Sequence, residues 1–458
     1  MNWLVPFALY GWIPLVAVLF ATLRPSRAVI VSYLAGWMFL PVAGYELFGF
    51  FDYTKTTAVP LVVFLAVLLF DTASVRRLRF TALDLPVAAF CVTPLFSSLG
   101  NDLGWYDGLS AVMYQTITWG LPYLSGRIYF SSPAGLRRLA LGMLAGGLVY
   151  VPLCLWEIRM SPQLHATLYG FQQHDWVQTL RLGGYRPMVF MNHGLMVGLW
   201  MSAASLIGLA LWMGSGVRRL WGIPLAVAVP ALVATTVLCK SFGATALVLA
   251  ATLILLAMRT FRTSLPMALI VCVPSTYVLI RTMGAWSGAE LTGLVSEVNT
   301  ERASSLSFRL GAEEMLRLKA AEKPVLGWGG WGRSFVRRFD DPQRGDTVIT
   351  DSLWILVFGK YGAVGLASLL LCLLVPVLAL WRRCPPRLWA SPGAALPWAL
   401  ALVLTLYALD NLVNAMENPV YILIAGGLCG LAPARARAPR VASALRARLR
   451  SAATVPVS

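Results

Sequence analysis

Residues 352–380 read SLWILVFGKYGAVGLASLLLCLLVPVLAL, and Lys360 is the only charged side chain in this stretch. The hydrocarbon core of a bilayer is about 30 Å thick, and a helix needs about 20 apolar residues to cross it. The stretch is longer than this minimum and therefore predicts a membrane span. Because backbone N–H and C=O groups cannot bond to water inside a bilayer, we expect the span to be a helix.

Similar apolar runs recur along the whole chain. Of its 458 residues, 58% are hydrophobic and only 12% are charged, whereas soluble domains carry about 25% charged residues. The composition predicts an all-α polytopic membrane protein with about 12–13 transmembrane helices. The thirteen predicted spans are residues 3–23, 28–48, 57–70, 85–100, 109–129, 139–158, 194–213, 220–238, 243–258, 264–283, 352–380, 396–413 and 419–432.

Arginine clusters occupy every second connection between these runs. By the positive-inside rule, the connections that carry them are cytoplasmic, so the amino terminus is outside and the carboxyl terminus is inside. We predict one integral-membrane domain, residues 1–432, and a disordered basic cytoplasmic tail, residues 433–458, that rests on anionic lipid. The clusters before the tail are Arg24/Arg27, Arg76/Arg77/Arg79, Arg137/Arg138, Arg218/Arg219, Arg259/Arg262 and Arg382/Arg383/Arg387.

The charge and cysteine patterns disfavour two classes of partner. The net charge of +17 is compatible with nucleic-acid binding, but its distribution in short clusters is better explained as a topology signal. The seven cysteines lie in or beside apolar runs, and neither they nor the three histidines show metal-ligand spacing. We therefore expect no nucleic acid, no metal and no other cofactor.

Two polar connections fall on the predicted outer side, residues 159–193 and residues 284–351. The first holds all three histidines together with Arg181 and Arg186, and the second holds ten of the twenty acidic residues. A membrane protein that concentrates its polar side chains on one side is expected to bind a ligand or perform chemistry there.

The second connection contains a predicted amphipathic helix. Residues 305–324 place apolar side chains at helical spacing, and Pro324 ends the pattern. Arg309, Glu313 and Arg317 are four residues apart on another face, where they can pair with one another. We expect this helix to lie over the membrane surface.

Arg186 and His193 flank the entry to the predicted span 194–213. A guanidinium is a planar fork of donors suited to phosphate, and a histidine can act as acid, base or donor near neutral pH. The alternatives are that Arg186 extends to lipid headgroups and that His193 caps a helix. Lys240 lies in a short outer turn, where a cation faces either an aqueous cavity or the membrane interface. Arg181 is a further candidate for substrate binding.

Asp351 stands where the connection 284–351 enters the next span. Its carboxylate can cap that helix or accept a proton from an incoming hydroxyl. Upstream, residues 327–332 read GWGGWG, but no strand precedes these glycines and they lie outside, which argues against nucleotide binding. A tight turn explains them, and Trp328 and Trp331 are candidates for stacking on a sugar ring.

The order of these motifs resembles the O-antigen ligase and O-antigen polymerase superfamily, which comprises enzymes of bacterial envelope polysaccharide synthesis. The ligases carry His, then Asn, Ser or Gln, then nine residues and Gly-x-x-Gly. This chain has Asp351-Ser352, nine residues and Gly362-Ala-Val-Gly365, so aspartate replaces the histidine.

Three upstream segments are also similar to that superfamily, so that the resemblance covers roughly residues 180–370. These segments are Arg309 followed by Pro324-Val-Leu-Gly327-Trp-Gly329, Arg186-Pro followed by Phe190-Met-Asn192-His193, and the turn Lys240-Ser-Phe-Gly243.

The resemblance implies a glycosyltransferase-C-like enzyme of the bacterial inner membrane with a large periplasmic loop. It implies inverting, metal-independent transfer or polymerisation of an undecaprenyl-diphosphate-linked glycan on the periplasmic face. Arg186 and Arg309 would clamp the diphosphate, Lys240 would be a weaker third cation, and Asp351 would be the base. The other candidate substrate-binding residues are His193, Arg181, Trp328 and Trp331.

The implied partners are that glycan donor, a glycan or lipid acceptor, membrane lipids and other polysaccharide-assembly proteins. Ligase and polymerase remain alternatives. A transporter or flippase of a polysaccharide or lipid precursor is another, and it predicts ionisable groups deep within spans. A non-catalytic assembly scaffold is the third, and it predicts that Arg186→Ala and Asp351→Ala would spare function.

Overall fold

The computed structural model describes residues 1–47, 51–214, 217–298, 300–336, 348, 350–384 and 395–431, which are mostly α-helical. The predicted tail, residues 433–458, and Arg387 lie outside the described residues. The helices are α1 (Leu4–Thr22), α2 (Pro25–Phe39), α3 (Lys55–Phe70), α4 (Thr72–Arg76), α5 (Leu85–Leu99), α6 (Gly104–Gln115), α7 (Leu121–Tyr129), α8 (Pro133–Met160), α9 (Leu164–Tyr169), α10 (Gly194–Gly214), α11 (Leu225–Leu238), α12 (Phe242–Phe261), α13 (Leu265–Thr282), α14 (Ala289–Val298), α15 (Thr300–Ala321), α16 (Leu353–Arg383), α17 (Ala395–Asp410) and α18 (Pro419–Gly430).

Among the described residues, seven helical segments are long and apolar enough to cross a membrane: α1, α5 with the short turn before it, α8, α10, α12, α13 and α16. Four shorter apolar helices, α3, α11, α17 and α18, accompany them. Each of the thirteen predicted spans contains helical residues, and predicted span 109–129 is formed by α6 and α7 with a π-helical turn, Thr116–Gly120, between them. The chain is a helical multi-pass membrane protein, as predicted, while the count of 12–13 crossings stays a prediction.

Within the described part of the chain, three two-stranded antiparallel hairpins connect helices. They are β1 (Gly44–Tyr45) with β2 (Tyr53–Thr54), β3 (Leu180–Arg181) with β4 (Gly184–Tyr185), and β5 (Arg219–Leu220) with β6 (Ile223–Pro224). The middle hairpin lies in the polar connection 159–193 and pairs Arg181 with Gly184. It therefore fixes Arg181 and the neighbouring Arg186 relative to each other.

Helix α10 is the centre of the bundle. Nearly all of it is buried, whereas α1 exposes most of its surface. Its neighbours include α8, α11, α12 and α17. Gly147 of α8 allows the close approach to α10, since an added Cβ there would overlap the methyl group of Ala204. Small residues serve in this way at helix contacts inside membranes, where close backbone approach favours association.

Helix α16 is broken near the predicted outer end. Gly362 has φ 63° and ψ −161°, a conformation that is essentially restricted to glycine. The break leaves backbone carbonyl and N–H groups without helical partners inside the bundle, where each would be costly if unsatisfied. The polar connection after α15 supplies those partners.

The segment that enters the break is residues 324–329. The backbone N–H groups of Trp328 and Gly329 donate to the carbonyls of Gly359 and Lys360, each at 2.9 Å. On the other side of the break, Ala363 N–H donates to the Pro324 carbonyl at 2.7 Å. The glycines at positions 327, 329 and 362 therefore have a backbone role, because this connection lies directly against the broken helix.

Helix α15 differs from its predicted form in its ion pairs. Arg309, Glu313 and Arg317 do not pair with one another, although their spacing allows it. Arg317 pairs with Glu314 at 2.6 Å, and Arg309 pairs with Asp351 at 3.4 Å. Glu313 is fully buried against other helices. The predicted pairing is wrong because tertiary partners compete with neighbours on the same helix.

Candidate functional site

His193 lies at the centre of a group of cations from separate parts of the chain. It immediately precedes α10, is 9% exposed, and packs edge-on against His174 with ring centroids 4.7 Å apart. Burial, followed by the positive charges of His174, Arg186, Arg309 and Arg181, lowers its pKa to about 3. The structure thus brings together residues from both polar connections. We call Arg181, Arg186, Lys240 and Arg309 around His193 the outer cation cluster.

Arg186 is held inside the protein instead of extending to lipid. It is 3% exposed, and its Nη2 donates to the Lys240 carbonyl at 3.3 Å. Its aliphatic portion lies against Gly194, where an added Cβ would overlap it. Lys240 in turn donates from Nζ to the Leu182 carbonyl at 3.3 Å. The turn between α11 and α12 is therefore tied to the β3–β4 hairpin.

Arg309 connects α15 to two other segments. Its Nη2 lies 3.4 Å from Asp351 Oδ2, and its Nη1 donates to the carbonyl of Val413 (3.0 Å) and to Oδ1 of Asn414 (3.1 Å). The Asp351 side chain is 48% exposed. Asp351 does not cap α16, because the N-cap position belongs to Ser352. The carboxylate is therefore placed beside the outer cation cluster.

The two candidate tryptophans lie apart from this cluster. Lys319 Nζ lies 3.8 Å and Lys323 Nζ 4.6 Å from the centroid of the Trp328 ring, an arrangement typical of cation–π contacts. Trp331 is 79% exposed, and its indole N–H donates to Asp107 of α6 at 2.9 Å. Among the contacts of the described residues, neither tryptophan touches the outer cation cluster.

A cavity of about 360 Å³ is lined in part by sequence neighbours of the cluster residues. Three of its lining residues are close in sequence to cluster residues or their partners: Asn192 precedes His193, Leu353 follows Asp351 by two positions, and Ala415 follows Asn414. Sequence neighbours of the cluster therefore line this cavity, which we call the chamber, although no cluster residue is among its described lining residues.

Among the described lining residues of the chamber, three are charged and were not among the predicted site residues: Lys55, Lys360 and Glu417. Lys55 is buried and donates from Nζ to the Phe190 carbonyl at 2.7 Å. Lys360 lies seven residues after Leu353, a helix rise of about 10 Å. Burial raises the pKa of Glu417, and the charge of Lys360 opposes that rise.

A signal for these residues was present in the sequence. Lys360 is the only charge in the run 352–380, and an ionisable side chain within such a run marks a functional position by default. Lys55 lies two residues before the predicted span 57–70, and Glu417 lies in the five-residue connection 414–418, which is predicted to be on the outer side. Hydropathy could not show that the three residues face one cavity.

Glu313 of α15 holds neighbouring helices in place around the site. Its carboxylate accepts hydrogen bonds from the Tyr277 hydroxyl at 2.9 Å and from the Ser352 hydroxyl, and Arg281 Nη2 lies 3.4 Å away. Burial raises the pKa of Glu313, which these donors oppose. The contacts fasten α15 to α13 and to the start of α16. They therefore fix the positions of Arg309 and Asp351.

The described residues contain no group of three or more His, Cys, Asp or Glu side chains placed to hold a metal ion. No protein-family model matches the chain, and no curated protein matches it.

Proposed function

We propose that this protein is a membrane glycosyltransferase with a glycosyltransferase-C-like fold. It transfers or polymerises an undecaprenyl-diphosphate-linked glycan on the periplasmic face of the bacterial inner membrane, in an inverting, metal-independent reaction. The observation that carries the proposal is the outer cation cluster, whose sequence neighbours line the chamber, together with the carboxylates of Asp351 and Glu417. The cluster offers guanidinium groups for a diphosphate, and the chamber offers space for the reacting groups.

The cations favour a reaction with an anionic leaving group. When the acceptor hydroxyl attacks the anomeric carbon, the new C–O bond forms as the bond from that carbon to the diphosphate breaks. The diphosphate leaves with the electron pair, so its charge grows in the transition state. Arg186 and Arg309 are fixed by protein contacts before the reaction, and fixed donors stabilise such charge most effectively.

The hydroxyl proton needs an acceptor, and two carboxylates are near. Asp351 is the residue that the family resemblance implies as base. Its carboxylate is 48% exposed and forms an ion pair with Arg309. Glu417 faces the chamber, and burial raises its pKa, which suits a general base better. We propose that Glu417 receives the proton and that Asp351 orients Arg309.

A precursor transporter is the second candidate, because Lys55 and Lys360 stand at or within apolar helices. Ionisable groups at such positions also mark substrate pathways. The two candidates differ in where precursor accumulates when the protein is lost. A transferase leaves single lipid-linked repeats on the periplasmic face, whereas a flippase leaves them on the cytoplasmic face.

The test is glycan chain length in a deletion strain complemented with wild type, Arg186→Ala, Arg309→Ala or the control Arg159→Ala, with membrane expression verified. Arg159 is an exposed arginine at the start of the same outer connection. We expect wild type and the control to restore long glycan. Both cluster variants should reduce transfer about 100-fold or more, as loss of a fixed transition-state donor does. Long glycan from both cluster variants would refute the proposed site and favour a scaffold.

A further inference from the structure

A second cavity, of about 490 Å³, adjoins the chamber. Tyr114 of α6 and Tyr361 of α16 line both cavities and so form the wall between them. The second cavity lies between α6 and the connection after α15, beside Trp331. We call it the outer cleft. Its volume is within the range of about 300–1,000 Å³ that small-molecule sites occupy.

Trp331 presents an exposed ring to the outer cleft in a fixed orientation. Its φ of 58° is unusual for a residue other than glycine and shows that the surrounding turn determines its position. The bond from its indole N–H to Asp107 fixes the ring as well. The ring of Trp328 in the same connection is covered by lysine ammonium groups. Among the described residues of this connection, Trp331 therefore provides the open aromatic surface.

The polar lining of the outer cleft differs from that of the chamber. Asp52, Asp107, Ser98 and Ser110 contribute carboxylates and hydroxyls, and no lysine, arginine or histidine lies among the described lining residues. Carboxylates accept hydrogen bonds from hydroxyl or ammonium donors and repel anions. The cleft is thus unsuited to phosphate.

An aromatic face beside hydrogen-bond acceptors matches the two sides of a pyranose. The C–H groups on one face of the sugar carry partial positive charge and pack on the negative face of an aromatic ring. The hydroxyl groups around its edge donate to carboxylates. We infer that the outer cleft binds an uncharged or amino-substituted pyranose unit, with Trp331 as its platform and Asp52 and Asp107 as its acceptors.

This assignment rests on the proposed function for the source of the sugar. The outer cation cluster and the chamber take the diphosphate and the reacting groups. The outer cleft takes a sugar unit further along the glycan, across the wall formed by Tyr114 and Tyr361. Donor glycan and acceptor glycan offer the same chemistry to the cleft. A transfer assay of wild type and Trp331→Ala distinguishes them when donor and acceptor concentrations are varied separately. In Trp331→Ala, the KM should rise for whichever substrate places its sugar on Trp331.

Binding can be tested without transfer, using free saccharides and the full chain in nanodiscs. The probes are maltotriose, chitotriose and trigalacturonic acid, and the readout is saturation transfer from protein to saccharide in NMR. We expect at least one of the first two to bind and trigalacturonic acid not to bind. Trp331→Ala should weaken that binding about five-fold or more. The matched control is Trp105→Ala, an exposed tryptophan of α6 outside the cleft lining.

Three results would overturn the inference: no binding of any probe to wild type, equal binding by Trp331→Ala, or a preference for trigalacturonic acid. Thermal unfolding of each variant verifies that it is folded. Arg186→Ala separates the two proposals, because it should reduce transfer about 100-fold or more while leaving saccharide binding in the outer cleft intact. If Trp331-dependent binding is found but wild type transfers no glycan, the proposed function fails and the cleft stands. If transfer depends on Arg186 but no saccharide binds, the cleft assignment fails alone.

Discussion

His193 is held as a neutral imidazole, since its pKa of about 3 lies far below the ordinary value for histidine. Its Nδ1 accepts a hydrogen bond from the backbone N–H of Leu195 at 3.0 Å, which requires an unprotonated nitrogen. Protonation would add positive charge beside His174, Arg181, Arg186 and Arg309. The residue therefore acts in the folded protein as a neutral hydrogen-bonding group at neutral pH.

This environment predicts a loss of stability in acid. The folded-state pKa lies below that of the unfolded chain, about 6.5. As pH falls below that value, the unfolded chain takes up a proton that the folded state excludes. The loss continues down to about pH 3 and reaches about 2 kcal/mol at pH 5. We expect His193→Asn to lose less stability than wild type between pH 7.5 and pH 5, measured by thermal unfolding in detergent.

The control for that measurement is Val177→Ala, a substitution at an exposed, non-ionisable position of the same connection. It should show the acid sensitivity of wild type. Equal acid sensitivity of His193→Asn and wild type would mean that His193 is protonated in the folded state and that the cluster is more open to water than the structure indicates.

The two carboxylates near the cluster should respond differently to neutralisation. We expect Glu417→Gln to lower kcat of glycan transfer about 100-fold or more, because it removes the proton acceptor. Asp351→Asn should lower kcat less and raise KM, because it removes a partner of Arg309. Transfer by wild type should fall at acid pH as Glu417 protonates, at a pH above the ordinary range for a glutamate. Transfer kinetics in nanodiscs measure the effects of both substitutions and the pH dependence of wild type. A larger kcat loss in Asp351→Asn than in Glu417→Gln would assign the base to Asp351.

At the scale of elements, the broken helix α16 is the feature on which the site depends. Gly362 permits the break, and the connection after α15 fills it with backbone hydrogen bonds. The break places Lys360 in the chamber and Tyr361 in the wall between the two cavities. Backbone geometry at this glycine therefore determines where the charged and aromatic side chains lie.

We expect Gly362→Ala to destabilise the protein by about 3 kcal/mol, because alanine is strained at this φ and ψ and its Cβ would overlap the backbone of Val325. Gly362→Ala should also reduce glycan transfer. The control is Gly311→Ala in α15, where an added Cβ meets no atom within 4 Å and helix propensity favours alanine by about 1 kcal/mol. Thermal unfolding in detergent compares the two, and a neutral Gly362→Ala would show that α16 is continuous.

The glycine motif illustrates what the sequence could predict about an element. The spacing from Asp351 to Gly362 indicates a motif in this region, and the start of the predicted span at residue 352 agrees with the start of α16 at Leu353. The break itself was not predicted, because hydropathy across residues 352–380 is continuous. Its cause is a contact between residues 324–329 and 359–364, which are distant in sequence and meet only in the tertiary structure.

At the scale of the molecule, the sequence predicted that the candidate residues belong to one side of the bundle. The structure brings Arg186, Lys240 and Arg309 together from three connections, in agreement with the alternating arginine clusters. The sequence could not predict which side chains line a cavity, because a hydropathy pattern contains no information on helix rotation and packing. For that reason, only the structure shows that Lys55 and Glu417 line the chamber.

The sidedness of the whole molecule can be tested with single cysteines. By the positive-inside rule, the connection that contains Val177 is outside and the one that contains Phe80 is inside. Both side chains are exposed, at 70% and 71%. The native cysteines outside the buried set are Cys272 and Cys384, so replacement of both by serine gives the background for labelling. In intact cells, a membrane-impermeant maleimide should label Val177→Cys strongly and Phe80→Cys only after permeabilisation. The reverse pattern would place the outer cation cluster in the cytoplasm, and a periplasmic glycan transferase would then be excluded.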